Sequence, residues 1–165
     1  MLLAGHVIFA VSLIGSTTGT LVLALIARAQ NAAAAHTIYD AISTLIYVID
    51  IPLTLIALGT GITLGLRGKW GIFRYTWVIT KLALVLAIIF TGWLAVMPAT
   101  QHLINLTAHT LGASAGRLGI AGWQLPGIAV INILFAATAA VLGIFKPGGR
   151  ARRLGLVRRN GSASR

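Results

Sequence analysis

The chain has 165 residues, 58% of them hydrophobic and only 9% charged, far below the roughly 25% charged residues of an ordinary soluble domain. That composition excludes a water-soluble globule, and four apolar runs of about 20 residues, each long enough to cross a bilayer, leave no room for a separate catalytic domain. Thirteen Lys and Arg against two acids give a net charge of +11, but the bases lie between and after the apolar runs, where they fit lipid headgroups and not nucleic acid.

The expected fold is all-α: an integral membrane four-helix bundle, up-down-up-down, in a single domain. The spans fall at about 2–27, 37–66, 75–97 and 125–145, with an external loop at 98–124 and a basic, disordered tail at 147–165. No basic segment precedes the first span, so it is expected to be a retained helix and not a signal peptide. Gly15 and Gly19 form a small-xxx-small pair on which another helix backbone can pack closely. His6, near the start, is expected to bond a neighbouring hydroxyl or backbone group. The second span should kink at Pro52, which lacks an N–H and leaves the carbonyl of Val48 without its usual partner. Gly61 and Gly65 make a second small-xxx-small pair, so the first two spans are candidate neighbours.

Between the second and third spans, Arg67, Lys69 and Arg74 stand among Trp70, Phe73, Tyr75 and Trp77, the composition of a short cytoplasmic turn with an aromatic belt. The Gly65-Leu66 exit, the Trp70-Gly71-Ile72-Phe73-Arg74 turn and the Trp77-Val78 entry leading to Lys81-Leu82 together resemble a bacterial family of predicted four-span integral membrane proteins, a domain of unknown function. More distantly, the four-span layout with the early His6 is similar to membrane domains of the copper-resistance D type. The resemblance implies a topology and carries no active-site residue with it.

The third span is expected to end at Met97 and Pro98, with Lys81 about two turns inside it and snorkelling back to the headgroups. Beyond it, Leu103, Ile104, Leu106 and Leu111 are spaced for a short amphipathic helix lying on the membrane surface or covering the bundle. Pro126 should open the fourth span near its first turn. Topology follows from the bases. Arg67, Lys69 and Arg74 in the turn, and Arg150, Arg152 and Arg153 with four further bases in the tail, oppose only Arg28 and Arg117, which puts both termini in the cytoplasm of a bacterial plasma membrane. The turn and tail arginines and lysine are the expected contacts to anionic lipid.

Both acids of the chain, Asp40 and Asp50, lie in the second span, and an acid at membrane depth is costly. Counting helical rise from the inner boundary puts Asp50 about 24 Å in, and Thr18, Thr91 and Asn132 at roughly 22, 24 and 20 Å. One polar group from each span therefore falls in a common mid-membrane layer, where Asp50 either accepts hydrogen bonds or carries a proton. A direct Asp50–Lys81 ion pair fails on the same arithmetic, because the two levels differ by about 15 Å. Asp40, Ser43, Tyr47, Asp50 and Thr54 recur at spacings of three and four, a polar stripe that serves either as a hydrogen-bonded seam or as a proton or ion path.

A second constellation lies on the outer face. His36 and Asp40 are four apart, His102 and His109 seven apart, and His with carboxylate suits zinc or copper, while two histidines on different helices suit a haem. With no cysteine, thiolate centres are excluded. No nucleophile motif, phosphate loop or paired catalytic carboxylates occur, so an enzyme is not expected. The leading expectation is a structural or accessory membrane subunit, associating with other membrane proteins or with itself. The alternatives are an outer-face metal or haem carrier and a small proton-coupled transporter that uses Asp50.

Overall fold

The computed structural model describes residues 1–67, 75–109 and 119–145. Of these, 95% are helical, and no strand occurs among the described residues. The elements are α1 (Leu2–Ala29), α2 (Ala32–Leu45), α3 (Ile51–Arg67), α4 (Thr76–Thr91), α5 (Met97–His109) and α6 (Ala121–Phe145). Two π-helical turns, Ile46–Asp50 and Gly92–Val96, join α2 to α3 and α4 to α5 without a break. The chain thus forms four long helices, Leu2–Ala29, Ala32–Arg67, Thr76–His109 and Ala121–Phe145, each apolar and long enough to cross a membrane.

The π turns explain how two prolines sit inside continuous helices. Proline offers no N–H, and its ring collides with the carbonyl four residues back. Each proline here, Pro52 and Pro98, lies two residues beyond a turn that has been widened by one residue. The Ile51 N–H reaches back to the Ile46 carbonyl and the Met97 N–H to the Gly92 carbonyl, five residues each. The wider turn moves the preceding carbonyls off the proline ring. Pro98 therefore does not end the third span. The segment expected as a separate surface helix is α5, a direct continuation of α4, packed along α2.

Between α1 and α2 only Gln30 and Asn31 intervene. Asn31 caps α2, its side chain accepting a hydrogen bond from the Ala34 N–H at 2.9 Å, so the chain reverses within two residues. The alanines that follow belong to the second span: Ala32 and Ala35 are buried. Pro126 lies inside α6 and not at its start, since the helix begins at Ala121.

Packing is uneven along the bundle. The tight core gathers Ala24 and Ala27 of α1, Ala35, Tyr39 and Ile42 of α2, Ile46, Leu103 of α5 and Leu125 of α6. Small alanines let the backbones approach, as they do wherever helices pack in lipid. Arg28 closes this end by stacking on Trp123, 3.5 Å from the ring centroid. At the opposite end the helices are looser. Neither α3 nor α4 contributes a buried residue. There α1 packs on α3 and on α6, and α6 on α4, while α3 and α4 barely touch.

Candidate functional site: a cavity beside the two π turns

Along the second span the buried face runs Ala32, Ala35, Tyr39, Ile42, Ile46, a stripe of threes and fours, and the next position in the series is Asp50. The carboxylate therefore arrives on the inward face at the end of an apolar stripe. It lines a cavity of about 110 Å³ walled by all four spans. Thr17 and Thr20 come from α1, Asp50 and Thr54 from the second span, Gly92 and Trp93 from the π turn of the third, and Asn132 from α6. Both π turns thus contribute to one cavity. Each lengthens the local turn and leaves a gap where a regular helix would close against its neighbour.

The polar groups here are incompletely paired. Thr91 donates to the Asn132 Oδ1 at 2.6 Å, joining the third and fourth spans. Ser16 Oγ faces the Asp50 carboxyl without closing a hydrogen bond: Ser16 Oγ, Thr20 Oγ1 and Asp50 Oδ1 are all buried and unpartnered. Thr20 is only 4% exposed, so water does not serve its hydroxyl from the surface. Buried polar groups are normally satisfied, and two unsatisfied ones in the wall of one cavity, Thr20 Oγ1 and Asp50 Oδ1, mark a place prepared for something else.

The residues expected at mid-membrane depth are placed differently. Asp50 and Asn132 line the cavity, and Thr91 bonds Asn132. Thr18 faces outward, its hydroxyl turned back onto the Ile14 carbonyl at 2.8 Å, and its neighbour Thr17 takes the inward place. Tyr47 is 52% exposed, because the extra residue of the π turn rotates the positions before Asp50 by about one residue step. For the same reason Asp40 is exposed and the stripe Asp40–Ser43–Tyr47 does not form an inward seam.

The outer histidines do not assemble. His36 is half-buried against α5, with Nδ1 3.1 Å from Thr107 Oγ1 and 3.2 Å from the Ile104 carbonyl. Thr107 spends its own proton on the Leu103 carbonyl at 2.8 Å, so His36 is the donor in this contact. Asp40, His102 and His109 are exposed, and no group of three potential metal ligands occurs among the described residues. His36 is a helix-pairing residue.

At the loose end of the bundle, His6 Nδ1 lies 3.0 Å from Thr60 Oγ1, while Thr60 donates to the Ile56 carbonyl at 2.7 Å. His6 thus bonds a neighbouring hydroxyl, and the bond joins the first and second spans. Gly61 makes room for the ring: a Cβ there would stand 3.0 Å from His6 Cε1. Gly15 and Gly19, in contrast, have nothing within 4 Å of a Cβ, so within one chain they pack on no helix. Gly65 is half-buried in α3 and Arg67 is exposed at its end. The Lys81 ammonium lies against the last turn of α6, two residues from its end at Phe145: a Cβ on Gly143 would come within 3.1 Å of it. Lys69, Arg74, Arg150, Arg152 and Arg153 lie outside the described residues.

Sequence reasoning missed the alanine interface and the two π turns. The first had a signal in the spacing of Ala24, Ala27, Ala32 and Ala35; the second had one in the shared pattern of an aromatic residue five positions ahead of Pro52 and Pro98, namely Tyr47 and Trp93. The four apolar helices define a multi-pass helical membrane protein. No protein-family model matches the chain, and no curated protein or solved structure is similar enough to count as a match.

Proposed function

We propose that the protein is a non-enzymatic four-span protein of a bacterial plasma membrane in which Asp50 takes up and releases a proton as part of the movement of a small solute. The observation that carries this reading is the Asp50 carboxyl itself, which shares a cavity wall with Thr17 and Thr20 and has Oδ1 unpartnered although the Ser16 hydroxyl faces it. A carboxyl retained for structure would be expected to spend its oxygens on those hydroxyls, as hydrogen-bonded seams between membrane helices do. The arrangement is up-down-up-down with both termini cytoplasmic. It is supported by contacts that pair residue 6 with 60 and 16 with 50, the pattern of an antiparallel hairpin, and by the bias of bases to the turn and tail. Those bases hold the protein to anionic lipid headgroups.

The test is proton flux in proteoliposomes carrying an internal pH dye, after an imposed pH gradient. Asp50→Asn is expected to abolish the flux that wild-type protein adds to empty liposomes. Equal flux in the two proteins, with the variant merely unfolding at lower denaturant, would assign Asp50 to structure.

A second reading, the accessory subunit, is favoured by one observation: α3 and α4 barely touch and bury nothing, which leaves one end of the bundle open to a partner's helix. Co-purification with a larger membrane complex supports it. A monodisperse preparation without any partner counts against it.

A further inference from the structure

The cavity has an entrance as well as a polar floor. Leu55 of the second span and Trp93 of the third both line it, and both are largely exposed, at 61% and 65%. They stand on the two helices that separate below the π turns, so the mouth opens sideways, onto the surface that lipid covers. A ligand reaching the cavity this way comes from the bilayer and is itself lipophilic.

The lining fixes the charge of its head. Among the described residues Asp50 is the only ionisable side chain in the cavity wall, with no Lys, Arg or His beside it. The sequence holds one other acid, Asp40, which is exposed. An unpaired carboxylate in an apolar cavity is matched best by a cation, and the Trp93 indole supplies a second attraction for one, since a cation is drawn to the face of an aromatic ring. Inorganic cations fit poorly, because the remaining wall is chiefly aliphatic and cannot replace a hydration shell. An ammonium carries its own N–H donors, which can meet the unpartnered Asp50 Oδ1 and the buried Thr20 Oγ1. The volume limits what goes inside. A cavity of about 110 Å³ is smaller than the roughly 150 Å³ space that holds benzene in an engineered protein, so it admits an ammonium head with a few methylenes. The rest of the apolar body stays in the mouth, between Leu55 and Trp93.

We infer that the Asp50 cavity is a binding site for lipophilic ammonium compounds, entered from the bilayer between the second and third spans. The inference rests on the reading of Asp50 as the working carboxyl and adds the class of solute. When the carboxyl holds a proton, binding exchanges it: the ammonium keeps its charge, the O–H bond of the acid breaks, and one proton leaves for each cation bound.

The experiment uses the full chain in phosphatidylcholine nanodiscs and radiolabelled octylammonium, read by equilibrium dialysis as binding in excess of empty discs. Saturable binding of one octylammonium per chain is expected, weakened at least tenfold by Asp50→Asn and several-fold by Trp93→Leu, with no saturable excess for octanol or octanoate. Trp93 is exposed, so its replacement does not threaten the fold, and the wild-type comparison of the three probes needs no variant at all. Absence of a saturable excess, equal binding of octanol, or binding unaffected by both substitutions overturns the inference. Proton flux that depends on Asp50 without saturable octylammonium binding also overturns it, while leaving the proton-binding role of Asp50 standing.

Discussion

Replacing Gly61 by alanine puts one methyl group into the contact between the first two spans. The new Cβ would stand 3.0 Å from His6 Cε1 and 3.6 Å from Nδ1, and the ring cannot swing aside freely because Nδ1 is bonded to Thr60 at 3.0 Å. Overpacking of this kind costs about 1–3 kcal/mol. If the ring moves enough to lose its hydrogen bond, a further ~1 kcal/mol follows. Against these stands the roughly 0.5–1 kcal/mol by which alanine improves on glycine in a helix. The expected net loss is about 1–3 kcal/mol, measured by SDS titration in mixed micelles with helical circular dichroism as the signal. The same substitution in a His6→Ala background meets no ring and should be neutral or slightly stabilising. Equal destabilisation in both backgrounds would refute the contact, and with it the pairing of the first two spans through His6 and Gly61.

Gly15→Ala and Gly19→Ala meet open space and should stabilise the monomer by about 0.5–1 kcal/mol each in the same titration; a loss would mean that these glycines pack against another molecule. Thr91→Val removes the donor to the buried Asn132 and should cost about 1–2 kcal/mol, with Asn132→Ala less than additive in the double variant. Thr107→Val takes away the acceptor of His36 and should cost about 1 kcal/mol, while added zinc or copper(II) leaves the unfolding midpoint of the wild type unmoved; a metal-dependent rise would contradict the unassembled arrangement of the outer histidines. Deleting Val48, an exposed residue of the first π turn, should return that turn to α-helical geometry and leave a folded protein that has lost proton flux, whereas an unfolded product would show that the turn is required for the bundle itself.

Hydropathy alone located four helices, because a span in lipid must be apolar throughout and must satisfy its own backbone. Helical rise placed Asp50, Thr91 and Asn132 at one level, since depth depends only on the number of residues counted. Facing was harder. Which side of a helix turns inward depends on the running angle, and one inserted residue at Ile46–Asp50 shifts that angle for everything before it. Tyr47 and Asp40 were lost from the inward face that way, and Thr18 yielded to Thr17. The extent of the third span was obscured for a different reason. Gln101, His102, Asn105 and His109 are polar and exposed, and they outweigh the buried Leu103 and Thr107 that hold α5 against α2. A proline followed by polar residues looks like an exit from the membrane unless the turn before it is known to be wide. The cavity was illegible, because an absence of packing has no residue of its own.

The two π turns also divide the molecule mechanically. Above them, α2 and α5 are clamped to each other and to α1 by the alanine core; below them, α3 and α4 are nearly free of one another. Each lower segment is a lever mounted on a widened turn whose backbone bonds are already stretched to five residues. A swing of about 10° at the turn would carry the far end of the 17-residue α3 by roughly 4 Å, given a length of about 25 Å. These two segments face each other across the mouth of the cavity, α3 held on α1 and α4 on α6, so rotations of that size at Ile46–Asp50 and Gly92–Val96 would change the width of the mouth.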